Sequence, residues 1–300
     1  MTLRSPHPGP ARAAAPDPAR AVLGDSGAPR HAVVLAPVMP RWDEGAFFRQ
    51  VAEPLLASGH RITIYDTLSL LRDGDDLKAL VDRWAGYLAP EGGGLHGGTA
   101  EGGGSHVGGS RGTSAAAAPD VLVGNALGGA VVQALLTCEW THRARALLLS
   151  GPTVADDELN AKLEGIAAAV GTQGLSAALR LLEEVVRGPA RQSGTVQPPR
   201  DNPKAAQNLA PDEELAGWRL STGLRLLHDA DARQPVRDFP GPLLHVYGEQ
   251  SLLVQRRHLA TGHCPQHHLV GIPEAGMRPH ADQPALTRAT IARFLGAEKS

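Results

Sequence analysis

Val121-Leu122-Val123-Gly124-Asn125-Ala126-Leu127-Gly128-Gly129 decides the fold of this 300-residue chain. Its first three residues form a short apolar run suited to a strand covered on both faces. Gly124, Gly128 and Gly129 then leave room for a sharp turn and for a helix packed close to the strand. A strand, a tight glycine turn and a helix form the setting in which G-x-S-x-G presents a serine at the top of a sheet. The serine position holds Ala126. A methyl group neither attacks a carbonyl nor carries an acyl intermediate, so this alignment excludes ordinary serine hydrolysis.

On the N-terminal side, residues 32–35 are an apolar run, 36–45 a loop, and 47–57 carry apolar residues at helical spacing up to Ser58-Gly59. Residues 61–65 read as a strand and 77–88 as an amphipathic helix. Beyond the turn, 130–136 read as a buried helix and 144–150 as a strand. Strands alternating with helices predict a mostly parallel central sheet flanked by helices on both faces. Alternation stops over 156–235. There, 159–170, 175–186 and 213–228 read as helices around a proline-rich break at 192–207, which predicts a helical cap insertion. Strands resume at 243–247 and 269–270, and 284–295 form a terminal helix. The expected core is thus 31–155 plus 236–300, with the cap at 156–235.

Residues 91–115 are glycine-rich and lack apolar periodicity, which predicts a flexible insertion. No strand and helix flank them as in a phosphate-binding loop. Residues 1–30 are rich in Pro, Ala and Arg without the apolar segment of a signal peptide, so they are expected to be a disordered leader of a cytoplasmic protein.

Hydrophobic residues make up 42% and net charge is −2, enough for a core and without the basic surface of a nucleic-acid binder. No run of eighteen apolar residues suggests a membrane span. Cys138 and Cys264 are too few for a disulfide framework. Neither has a basic neighbour that favours a thiolate. His263, His267 and His268 form the densest histidine cluster, but Pro265 interrupts the helix that an i, i+4 ligand pair needs. The expectation is therefore no metal and no cofactor, and no nucleic-acid or membrane partner.

Element order over residues 31–295 resembles the α/β-hydrolase superfamily. Three stretches carry the likeness: Gly124 to Gly129, Tyr247-Gly248-Glu249-Gln250-Ser251, and Ile272-Pro273-Glu274-Ala275-Gly276-Met277-Arg278-Pro279-His280. The second resembles the family's acid loop and the third its histidine loop. The resemblance places nucleophile, acid and base at Ala126, Ser251 and Met277, none of which does that chemistry. The family's His-Gly after the first core strand is replaced by Ala36-Pro37. The scaffold glycines are kept while the mechanism is lost.

A pocket on that scaffold retains the Leu127 N–H at a helix start, with a second donor expected from Val38 or Met39. Val38, Met39, Ala126, Leu127 and Met277 are predicted to make a small apolar floor. His280 is the candidate displaced base, with packing beside the terminal helix as the alternative. Arg278 is a candidate carboxylate ligand at the rim, or a surface ion pair. Asp43 and Glu44 with Trp42 lie on the entry loop, as ligand contacts or solvated charges. Asp229 and Asp231 are expected to cap or pair locally, and Glu249 to cap backbone.

The retained turn predicts a non-hydrolytic enzyme that stabilises an enolate, and so exchanges a proton next to a carbonyl with the substrate's own carboxylate as base. Among families, this is similar to the triad-less bottromycin-type aspartate epimerases of peptide-antibiotic biosynthesis. That resemblance implies a small-molecule or macrocyclic peptide substrate. The alternatives are a non-catalytic binder of a hydrophobic ligand or peptide, and a residual ester or thioester hydrolase or cyclase.

Overall fold

The structure is a computed structural model describing residues 17–90, 118–187, 211–228 and 230–296. Residues 1–16 of the expected leader, the glycine-rich 91–115, the proline-rich 192–207 and Asp229 lie outside them.

One seven-stranded sheet organises the described residues, in the order β1-β3-β2-β4-β5-β6-β7. The strands are β1 (Arg20–Leu23), β2 (Arg30–Leu35), β3 (His60–Tyr65), β4 (Val121–Asn125), β5 (Arg145–Leu149), β6 (Leu243–Gly248) and β7 (His267–Ile272). All neighbours pair parallel except β1, which runs antiparallel to β3 with Arg20 opposite Tyr65. This corrects the leader expectation, because 20–23 add an edge strand. Asp66 N–H also donates to the Ala19 carbonyl at 2.9 Å, tying that segment to the end of β3.

Both faces of the inner strands β2, β4, β5 and β6 are largely buried, as their apolar runs require, while β7 at the edge is only partly covered. Val33, Leu35, Leu122 and Leu148 face α2 (Leu77–Leu88) and α3 (Leu127–Leu135). Val34, Val123, Leu147 and Val246 face the other way, in the same cluster as buried residues of α1 (Arg49–Ala57) and α9 (Pro284–Leu295). Asp76 caps α2 by accepting the Ala79 N–H at 2.7 Å.

The cap consists of α4 (Asp157–Gln173), α5 (Leu175–Arg187) and α6 (Pro211–Arg225), packed on one another through α4. Asp156 caps α4 through the Leu159 N–H at 2.8 Å. The short helices α7 (Arg233–Asp238) and α8 (Pro279–Asp282) had no counterpart in the sequence reading.

Sequence order runs outward from β2 toward β3 on one side, while β4 continues on the other. Such a reversal opens a crevice at the carboxyl ends of β2 and β4, where ligands bind in open α/β sheets. The segment Pro37–Pro40 leaves β2 there, and Ala126 leaves β4.

Candidate functional site

Ala126 sits at the tip of the turn between β4 and α3, with φ 47° and ψ −113°. A β-carbon rarely occupies such a backbone, which costs about 1–3 kcal/mol. Three close approaches hold it there. A Cβ on Gly124 would lie 2.4 Å from the Gly128 carbonyl oxygen. One on Gly128 would lie 2.0 Å from the Leu35 carbonyl oxygen, and one on Gly129 2.8 Å from Gly151 Cα. Helix α3 is therefore seated directly on the ends of β2 and β5, and the Ala126 N–H donates to the Leu149 carbonyl at 3.1 Å.

Leu127 begins α3, so its N–H has no carbonyl one turn earlier in that helix to bond. Its side chain is fully buried in the core. This corrects the expected floor, to which Leu127 can offer only its backbone.

Ser251 and Met277, which the resemblance aligns with the family's acid and base, also meet. The Ser251 hydroxyl donates to Met277 Sδ at 3.6 Å, and both residues are buried. Gln250 N–H donates to the Ala275 carbonyl at 2.9 Å, which joins the two loops that carry them. A Cβ on Gly248 would lie 1.9 Å from the Gly276 carbonyl oxygen, so these loops meet backbone to backbone. Met277 N–H donates to the Val186 carbonyl of α5 at 3.2 Å, bringing the cap onto the same spot.

These elements enclose a cavity of about 480 Å³. Val38, Met39, Asn125, Ala126 and Met277 line it from the sheet side. From the cap come Leu159 and Leu163 of α4, Leu179, Leu182 and Val186 of α5, and Leu224 of α6. Asn125 is buried, and its amide donates to the Leu149 carbonyl at 3.0 Å. Among the described lining residues the ionisable ones are Arg180, Glu183 and Arg278. Glu183 and Arg278 are 37% and 36% exposed, so the charges stand at the mouth and the interior is apolar. Arg278 Nη1 lies 3.2 Å from a Glu183 carboxylate oxygen, and its guanidinium lies 5.8 Å from the centre of the Phe47 ring.

A broader, open hollow of about 980 Å³ is lined by Tyr247, Glu249, Ser251 and Arg256. The elbow does not border it.

His280 does not line the cavity. It is buried, with Nδ1 unpartnered and its ring edge-on to Phe47 at 4.9 Å. Burial, with the nearby Arg278 charge, lowers its pKa to about 4. The displaced-base expectation is corrected: this is a neutral packing histidine cut off from the cavity. Asp43 serves its own loop, with carboxylate oxygens accepting from Gly45 N–H at 2.9 Å and Phe47 N–H at 2.8 Å. Asp231 pairs locally with Arg233 at 2.5 Å. The Glu249 side chain lies across Gly271. His267 Nδ1 accepts the Gly262 N–H at 2.8 Å, which commits that ring to a loop. Burial raises the Cys138 thiol pKa, away from thiolate chemistry.

The feature that sequence reading did not reach is Arg219 on α6. Its Nη2 bonds both oxygens of Asp66, at 2.8 and 2.7 Å, and its Nε donates to the Met39 carbonyl at 3.1 Å. Asp66 is 2% exposed and the Arg219 side chain 13%. Burial raises the Asp66 pKa, while Arg219 and the Leu68 N–H oppose the rise. One cap residue thus fixes the loop between Pro37 and Pro40. Proline has no N–H, so Val38 and Met39 supply the only backbone donors of that stretch. The cap lining on α5 did have a signal, since Leu179, Leu182 and Val186 recur at helical spacing.

No protein-family model matches the sequence. No curated protein matches it by sequence. Solved structures match closely in shape. An α/β hydrolase, MGS-M2, from a Medee basin deep-sea metagenome library superposes with TM-score 0.63 at 14% identity, over 94% of this chain and 95% of its own. A bromoperoxidase from Bacillus anthracis gives 0.62 at 15%, over 92% and 94%. A putative non-heme bromoperoxidase from Mycobacterium tuberculosis gives 0.60 at 15%, over 95% and 97%. The chain has the α/β-hydrolase fold. Fold alone does not fix a reaction. Among the described residues no helix is long and apolar enough to cross a membrane.

Proposed function

We propose that this protein is a non-hydrolytic enzyme on the α/β-hydrolase fold, an isomerase or epimerase that exchanges a proton at the carbon next to a carbonyl. The carrying observation is Ala126 held at φ 47° on a turn where its methyl does no chemistry. Strain kept at such a point favours a role for what the turn delivers, which is the α3 N-terminus with the Leu127 N–H. A carbonyl oxygen bound there gains charge as the neighbouring carbon loses its proton, and a preorganised donor stabilises that charge. Arg180, Glu183 and Arg278 stand at the mouth, so the base at the floor is the substrate's own carboxylate.

A cavity of about 480 Å³ suits a drug-sized aliphatic molecule, or one side chain and flanking carbonyl of a larger peptide. The peptide-antibiotic setting rests on the sequence resemblance to bottromycin-type epimerases. The second reading is a carrier of a hydrophobic ligand, favoured by the apolar interior around Ala126.

Incubation in D₂O with small aliphatic oxo acids and with aspartate-containing peptides tests both. The enzyme reading expects a mass gain of about one unit per exchangeable centre, with connectivity unchanged, because an enolate forms and reprotonates. Tight binding without exchange establishes the carrier instead, and bond cleavage overturns the non-hydrolytic reading.

A further inference from the structure

The cavity's mouth has a charge arrangement that the apolar interior does not explain. Glu183 on the cap and Arg278 on the core meet across it at 3.2 Å. Glu183 is also held from its own helix, where Arg187 Nε bonds it at 2.8 Å one turn later. Glu183 therefore keeps a cationic partner if Arg278 turns to another anion. Arg278 is meanwhile braced by the Phe47 ring, which lines the same cavity and leaves the guanidinium edge to bond outward. Arg187 and Arg278 thus share the single Glu183 carboxylate. A ligand group arriving here meets net positive charge directly above an aliphatic interior.

We propose that Arg278 is the anion-recognising residue of the cavity, with Glu183 as its placeholder, and that the ligand is an aliphatic amphiphile with a carboxylate at its outer end, separate from any carboxylate that acts at the floor. Binding exchanges one carboxylate for another at the guanidinium and threads the chain between Leu182, Val186 and Met277 toward Ala126. This rests on the reading above only for which cavity is used. Anion selection stands or falls separately from proton exchange.

Calorimetric titration of the full-length protein with decanoate, 1-decanol and decyltrimethylammonium tests it. Decanoate is expected to bind about tenfold tighter than decanol, the scale of one charged hydrogen bond, and the cation weakest. Glu183→Gln frees Arg278 and is expected to tighten decanoate several-fold while leaving decanol unchanged. Arg278→Met is expected to remove the preference for decanoate, with unchanged decanol affinity showing that the cavity is intact. Equal affinities for decanoate and decanol in the parent protein overturn the proposal and leave an apolar pocket. Equal weakening of both by Arg278→Met assigns that residue a structural role and also overturns it. Binding of none of the three overturns the amphiphile class, whatever the D₂O experiment gives.

Discussion

The Ser251 hydroxyl points at the sulfur of Met277, 3.6 Å away. By the sequence resemblance, these two residues take the places of the carboxylate and imidazole that would activate a nucleophile at position 126. Their contact brings together the two loops that the resemblance aligns with the family's acid and histidine loops.

Restoring one group should therefore do nothing. Ala126→Ser places a hydroxyl on the turn with no base to take its proton, so activated esters are expected to show no burst and no turnover above background. The triple change Ala126→Ser, Ser251→Asp, Met277→His is expected to hydrolyse p-nitrophenyl esters measurably. Stopped-flow release of nitrophenolate checks both. A burst in the unmodified protein would mean that a nucleophile other than residue 126 operates.

The turn itself can be probed through stability. Gly128→Ala drives a methyl to 2.0 Å from the Leu35 carbonyl oxygen, between two backbone segments that cannot both retreat. Overpacking of this kind is expected to cost about 3 kcal/mol or more. Ala126→Gly acts in the opposite sense, relieving the positive φ for a gain of about 1 kcal/mol. Urea unfolding of the two variants measures both signs.

The local pattern around this turn was legible because glycine spacing and strand–helix alternation are short-range properties. The cap helices were legible for the same reason, through apolar residues spaced to cover one face. β1 was not, since four residues on an antiparallel edge carry little pattern and lie within a Pro/Ala/Arg-rich stretch. Helix α7 is six residues long with Pro235 inside it, below the length at which periodicity speaks. Adjacency to Ala126 in sequence does not carry Leu127 into the cavity, because its side chain is fully buried in the core. Arg219 and Asp66 are separated by 153 positions, and nothing local in either segment announces their pairing.

That pairing leads to the third expectation. Arg219→Met leaves the Asp66 carboxylate buried without its guanidinium, which is expected to destabilise the fold by about 3–5 kcal/mol. Adding Asp66→Asn should recover part of the loss, because the stranded charge is removed with its partner. A double-mutant cycle in urea reports the coupling. Additive effects of the two changes would show that the pair is not a unit.

Acid sensitivity supplies the last expectation. His280 titrates near 4 in the folded protein, held there by burial and then by Arg278. The unfolded chain binds a proton on it near the ordinary value of about 6.5. Between these two values the unfolded state holds more protons, so unfolding free energy rises with pH across that window and falls on acidification. Holding this ring neutral is linked to a loss of roughly 3 kcal/mol by the bottom of the window. His245, fully buried with a pKa lowered to about 3, adds in the same direction. Denaturant unfolding at intervals from pH 7 to pH 4 should show the positive slope. His280→Leu should flatten it by about one proton while leaving the remaining slope from His245 and from His31, His60 and His267, whose pKa values burial also lowers. An unchanged slope in that variant would mean that His280 keeps its ordinary basicity in the folded state.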